Sequence, residues 1–246
     1  IHQGLIAKKD RYQEVLKTTK FYFIPIINVD GAALVEEHWN SEHQILNKRK
    51  NMNPGNLGSA EKRIQESIST EITELTGKKE PKKNTELCGD YWPGDQAFSE
   101  PESRALRDFV STHRNDIKFV INCHTSGNEF IWPYNGVEHN DIEQETRLHR
   151  YLLGYRKEAA FPEGVLKGNS YEVIGDQMGG DCDDFIMGTY GIPSVTSEMG
   201  FFGQYIKDWR CQSKGVCFEI IRENSRWIEY IFQNIASIAE KVTIKY

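Results

Sequence analysis

Apolar and polar positions alternate along this chain in blocks that predict strands followed by helices. Lys20-Phe-Tyr-Phe-Ile-Pro-Ile-Ile-Asn28 is a continuous aromatic and β-branched run that closes on the turn-forming Asn28-Val29-Asp30-Gly31. It predicts a strand buried on both faces, as in a mostly parallel sheet. Ile117-Lys-Phe-Val-Ile-Asn-Cys123 reads the same way, and so does the shorter Pro193-Ser-Val-Thr-Ser-Glu198. Between them lie helical patterns. Ser99-Glu-Pro-Glu102 predicts a capping box with serine at the N-cap, opening a helix through Leu106, Phe109 and Val110 to about His113. Residues 142–160 form another candidate helix. Ile220, Ile221, Trp227, Ile228, Ile231, Phe232, Ile235, Ile238 and Ala239 stripe one face of a long C-terminal helix. Strands alternating with helices predict an α/β fold with a parallel or mixed sheet.

One stretch breaks this pattern. Ile64, Ile68, Ile72 and Leu75 recur at helical spacing in a polar region, and Gly77-Lys-Lys-Glu-Pro-Lys-Lys-Asn84 follows. The expectation is an amphipathic helix over about 60–76 and a mobile lysine-rich loop, inserted at about 56–86. The helix offers a surface for a protein partner.

Composition narrows the function classes. Apolar residues make up 38% of 246, with 5 Trp, 11 Tyr and 12 Phe, which is enough to build a sizeable core. A net charge of −6 lacks the basic footprint of a general nucleic-acid binder. The longest apolar run, Phe21 to Ile27, is too short for a membrane-spanning helix. The chain opens on Ile1 with no charged-then-apolar leader, which suggests a processed product or a piece of a longer chain. Cys88, Cys123, Cys182, Cys211 and Cys217 show no zinc-ribbon spacing; Cys211 and Cys217 could close a local disulfide or remain free thiols.

Ligands in open α/β sheets gather at the carboxyl ends of strands. Three such ends carry polar residues: Asn28 to Gly31, leading on to Arg49; Asn122-Cys-His-Thr-Ser-Gly127; and Ser197-Glu-Met-Gly200. A histidine, a glutamate and an arginine converging on one crevice suit metal-assisted hydrolysis. His124 would bind a cation, Glu198 would activate water, and Arg49 would stabilise an oxyanion. Taken singly, each is more simply read as an ordinary polar residue at a strand end or in an exposed basic turn.

Their surroundings resemble the zinc carboxypeptidase family in five ordered segments. Phe23-Ile-Pro-Ile-Ile-Asn-Val-Asp-Gly31 resembles the strand ending in the family's Asn-Pro-Asp-Gly, with Val29 in place of proline. Arg49-Lys-Asn51 is similar to the segment supplying the oxyanion arginine. Cys88-Gly-Asp-Tyr-Trp-Pro-Gly-Asp-Gln-Ala-Phe-Ser-Glu-Pro-Glu102 resembles the family's Ala-Phe-Ser-Glu-Pro-Glu helix entry, the most specific of the five. Phe119-Val-Ile-Asn-Cys-His124, running on to Trp132-Pro-Tyr134, resembles the strand bearing a zinc histidine. Asp183-Asp-Phe185 through Gly191-Ile-Pro-Ser-Val-Thr-Ser-Glu-Met-Gly200 resembles the segment ending in the catalytic glutamate.

The resemblance implies one α/β domain over 1–246, N-terminally incomplete, with a twisted, mixed, mostly parallel sheet of about eight strands in the full domain. It implies one zinc ion with His124 as a ligand, Glu198 as general base and Arg49 at the oxyanion. Asp183, fifteen residues before Glu198, falls at the floor of the pocket for the substrate's C-terminal side chain, where a carboxylate suits lysine or arginine. A solvated acidic turn over Asp181, Asp183 and Asp184 is the plainer reading of the same residues. The substrate would be a peptide or protein C-terminus. The resemblance and the Cys211/Cys217 spacing favour a secreted or lumenal setting.

The family pattern is incomplete here. Its His-x-x-Glu zinc motif is absent, and its expected place lies before Ile1. Its carboxylate-gripping Asn-Arg pair is missing between Asn51 and Cys88, and Asp176 stands where a mobile tyrosine is expected, with Tyr171 nearby. Two functions follow: a zinc metallocarboxypeptidase, or a catalytically inactive relative serving as a binding or scaffold subunit.

Overall fold

A computed structural model describes residues 9–42, 97–136, 164–200 and 214–242. Four strands are present among them: β1 (Val120–His124), β2 (Glu129–Ile131), β3 (Leu166–Gly168) and β4 (Ser194–Glu198). They form one sheet in the order β1-β4-β2-β3. β1 runs parallel to β4, and β2 runs parallel to β3. The central β2–β4 pair is antiparallel. The sheet is therefore mixed and mostly parallel, flanked by helices: α1 (Lys9–Thr18), α2 (Val29–Glu42), α3 (Pro101–His113), α4 (Ser170–Ile174), α5 (Cys182–Tyr190) and α6 (Lys214–Val242). None of these is long and apolar enough to cross a membrane.

The two faces of the sheet are covered differently. Successive residues of a strand point to opposite faces. Phe130 and Val195 point to one face, where they meet Trp227 and Ile231 of α6, together with Trp132, Tyr134 and Met187. Phe130 meets Trp227 edge to face, with ring centroids 4.9 Å apart. The α6 stripe follows helical spacing, with Ile220, Trp227 and Ile231 buried. Ile221 falls off that face and is exposed, against the sequence expectation. A second cluster, Val110, Phe185, Ile186 and Ile192, joins α3 to α5.

The Lys20–Asn28 run is not a strand. It is irregular, with bends at Pro25 and Ile27, and pairs with no strand among the described residues; Phe23, Ile24, Ile26 and Ile27 are exposed. Apolar β-branched sequence favours extension, but a strand also needs a neighbouring backbone to bond. Aromatic packing anchors this segment instead. Phe21 lies 4.6 Å from Phe232, and Tyr22 lies 5.2 Å from Phe109, with its hydroxyl 3.3 Å from His113 Nδ1. The turn expected at Asn28–Gly31 is a helix start: Asn28 Oδ1 accepts from the Gly31 amide at 2.9 Å and opens α2.

The capping expected before α3 also shifts by one residue. Glu100, not Ser99, is the N-cap, with extended backbone and no side-chain cap bond, and Pro101 takes the first helical position. The Ser99 hydroxyl donates to Glu100 Oε1 at 2.8 Å. A complete capping box stands elsewhere, at α4. There the Asn169 side chain accepts from the Glu172 amide, and Glu172 Oε2 accepts from the Asn169 amide.

Buried polar groups tie the loop after β2 to both short helices. The Asp184 carboxylate accepts from the Asn135 and Gly136 amides, and Asn135 Oδ1 accepts from the Ser170 amide at 2.9 Å. The Ser170 hydroxyl and Asn169 Nδ2 donate back to the Asn135 and Tyr134 carbonyls. Arg49, the candidate helix at 142–160, the insertion at 56–86 with its 60–76 helix, and the Cys211/Cys217 pairing lie outside what is described.

Candidate active site

Because β1 and β4 are parallel, both end at the same edge of the sheet. Their register pairs Asn122 with Thr196 and His124 with Glu198. Register partners project from the same face, so these four side chains share the face opposite α6. His124 Nδ1 lies 3.6 Å from Glu198 Oε1. The imidazole is about half exposed, and the carboxylate is largely covered. Beyond the strand ends the Met199 amide donates to the His124 carbonyl at 2.9 Å, which extends the pairing past the two side chains.

β2 enters from the other side. Its antiparallel register sets Glu129 opposite Glu198. An imidazole and two carboxylates therefore stand in a row across three strands. Burial pushes the Glu129 carboxyl up, and the charge of Glu198 pushes it further. Gly127 leaves the room that Glu129 occupies: a Cβ there would stand 2.6 Å from its carboxylate. Sequence reasoning missed Glu129, because its nearness to Glu198 comes from strand register and not from any local motif.

Asp183 enters the same face from the first turn of α5 and is fully buried. Its carboxylate accepts from Asn122 Nδ2, the Ser194 hydroxyl and the Thr196 hydroxyl, the last at 2.6 Å. Burial pushes this carboxyl up to about 8, and the Asp181 charge adds to the shift, against the three donors. The solvated acidic turn is thus not what these residues form. Asp181 caps α5 by accepting from the Asp183 amide at 2.6 Å, and Asp183 and Asp184 are buried. Donor atoms of Asp181, Cys182 and Asp183 lie within 4.8 Å of one another, but capping and hydroxyl bonds already engage the carboxylates, and Asn122 Nδ2 donates to Cys182 Sγ at 3.0 Å.

A catalytic zinc takes three protein ligands and keeps one position open. His124 fits as one of them: its imidazole is accessible, at a strand end, beside a carboxylate able to accept a proton. Among the described residues the one cluster of three metal-ligating side chains, Asp181, Cys182 and Asp183, does not include His124.

A mixed α/β sheet with a histidine and a glutamate on adjacent parallel strand ends is an architecture suited to metal-assisted hydrolysis. The family model for zinc carboxypeptidases matches residues 1–213, and the chain belongs to that family. It is 23% identical over 227 residues to human mast cell carboxypeptidase A, covering 90% of this chain and 51% of that protein. It is 24% identical over 195 residues to rat carboxypeptidase B, covering 78% of this chain and 44% of that one. The chain thus spans about half the length of these curated relatives. Among solved structures, bovine thrombin-activatable fibrinolysis inhibitor in complex with tick carboxypeptidase inhibitor superposes with a TM-score of 0.66 at 16% identity. That match covers 96% of this chain and 75% of the other, and it shows the shared fold.

Proposed function

We propose that this chain carries the catalytic face of a zinc-dependent metallocarboxypeptidase that removes C-terminal residues from peptides or proteins. The observation behind this reading is the 3.6 Å approach of His124 Nδ1 to Glu198 Oε1 at the ends of paired parallel strands. Family membership gives that pair its chemical meaning.

His124 would supply one imidazole ligand. When bound, zinc polarises the scissile carbonyl and makes an attacking water acidic enough to lose its proton near neutral pH. Glu198 accepts that proton and passes it to the departing amine, acting first as general base and then as general acid. Arg49 holds the negative charge that develops on the carbonyl oxygen, a task suited to a fixed guanidinium. Asp183, beneath the same face, receives a C-terminal lysine or arginine side chain, which displaces one of its hydroxyl donors and compensates its charge.

The scaffold alternative rests on the departures from the family pattern and on an expected helix over 60–76, which lies outside the described residues.

Metal analysis of the full-length protein tests this reading. We expect about one zinc per chain, as a catalytic site of this kind holds, and a loss of tenfold or more in zinc affinity on His124→Ala, the scale seen when a site's support is removed. Unchanged zinc binding in that variant would overturn the ligand assignment.

A further inference from the structure

The buried stripe of α6 contains a residue that apolar packing does not call for. Among the described residues of this helix the buried positions are Ile220, Asn224, Trp227 and Ile231, spaced to face the sheet along one line. Asn224 is the polar one, in the middle of apolar neighbours. A buried amide costs stability unless it is hydrogen-bonded. Here both polar atoms are engaged. Asn224 Nδ2 donates to the Ile220 carbonyl at 2.9 Å, and Oδ1 accepts from the Trp227 indole at 3.0 Å and from the Ser197 hydroxyl at 3.3 Å.

The bonds to Ile220 and Trp227 stay within α6, whereas the bond from Ser197 crosses to the sheet. Ser197 is buried and lies between Cys123 of β1 and Phe130 of β2 in register. The Phe130 ring packs on Trp227. An aromatic contact and a hydrogen bond therefore join α6 to the central strands at one place. A satisfied polar contact inside an apolar layer selects one register where apolar side chains alone would tolerate several.

What this contact holds is the residue after Ser197. Successive side chains of a strand point to opposite faces. Ser197 faces α6, while Glu198, one peptide further on, faces the crevice beside His124. Glu198 is the last residue of β4, so its aim depends on how the strand end is held from behind. We propose that Asn224 is a positioning residue which, through Ser197, fixes the Glu198 carboxylate for proton transfer. It lies on the other side of the sheet and acts only through the strand. The inference rests on the carboxypeptidase reading and adds to it the support of its general base.

The test compares zinc-loaded full-length protein with Ser197→Ala, Asn224→Leu and Ser197→Thr on one peptide substrate. Loss of the contact should lower kcat by about tenfold with KM unchanged, less than the roughly 100-fold that a misplacement of about 1 Å can cost. Ser197→Thr keeps a hydroxyl and should retain most of the parent's kcat. The decisive comparison is made in the Glu198→Gln background, where no general base remains to be placed. There neither Ser197→Ala nor Asn224→Leu should lower kcat further, whereas a merely structural weakening lowers it by the same factor in both backgrounds. If Asn224→Leu fails to fold, Ser197→Ala, which removes only the hydroxyl, carries the comparison. Amide exchange at Met199, which donates to the His124 carbonyl past the strand end, should quicken in both variants with or without zinc. Parent-like kcat in Ser197→Ala, an equal loss in Ser197→Thr, an equal further loss in the Glu198→Gln background, or parent-like exchange at Met199 overturns this inference and leaves the carboxypeptidase reading standing. Failure of the parent to cleave overturns that reading, and the role of Asn224 falls with it.

Discussion

The Thr196 hydroxyl donates to the Asp183 carboxylate across 2.6 Å, joining the sheet to the first turn of α5 beneath the candidate site. This contact lies in a buried layer where Asp183 also takes bonds from Ser194 and Asn122. Burial outweighs those donors, and the carboxyl titrates at about 8 instead of its ordinary 3.8. A buried acid held mostly in its neutral form at neutral pH has consequences for both stability and substrate choice.

For stability, the sign follows from where each state holds its proton. Below about 4, folded and unfolded chains are both protonated at Asp183, and the group contributes nothing. As pH rises toward 8, the unfolded chain releases the proton while the folded chain keeps it, so stability falls across that window. The buried Asp184 carboxyl is also pushed up and acts in the same direction. The melting temperature should therefore decline between pH 5 and 8.5, and Asp183→Asn should flatten the decline. Calorimetry at several pH values measures both. A melting temperature that rises with pH equally in parent and variant contradicts the placement of this carboxyl.

For substrate choice, a lysine side chain entering beside Asp183 favours the ionised carboxylate. KM for peptides ending in lysine should fall as pH rises through about 8, whereas KM for peptides ending in leucine should not. Asp183→Ile should reverse the order of the two substrates. Steady-state kinetics across pH 6.5 to 9 on the two peptides would show it, and parallel pH profiles would rule the role out.

Asn169 is fully buried, caps α4 and donates to the Tyr134 carbonyl at 3.2 Å. Asn169→Ala removes the cap and leaves buried backbone groups without partners, at a cost of about 2–4 kcal/mol. Glu172→Gln keeps the reciprocal bond and should cost under about 1 kcal/mol. Urea unfolding compares them, and equal stability of parent and Asn169→Ala would contradict the capping role.

The parts of this fold written in local sequence were legible. Val120–His124 and Ser194–Glu198 are strands because continuous β-branched runs suit a sheet covered on both faces, although each ladder starts later than the run does. The α6 stripe was legible because Ile220, Trp227 and Ile231 repeat at helical spacing. Lys20–Asn28 misled because its composition is that of a strand, while strand formation depends on a partner elsewhere in the chain. β2 and β3 are three residues long, too short for any period to register. Asp183 and Asp184 look like surface residues in sequence. They are buried because hydroxyls, an amide side chain and backbone amides from distant segments supply their hydrogen bonds. In the candidate site, His124 and Glu198 were recognisable from their strand ends and family resemblance. Glu129 was not, because only register sets it against Glu198.

The central claim is that Glu198 performs the proton transfer of a C-terminal peptide hydrolysis beside a zinc held in part by His124. Its most direct test is amino-acid release from a peptide by zinc-loaded full-length protein, with Glu198→Gln as comparison. The account predicts release by the parent and a fall in kcat of about 10²–10⁴-fold in the variant, with zinc content and melting temperature unchanged. Equal release by Glu198→Gln, or no release by the zinc-loaded parent, would contradict it.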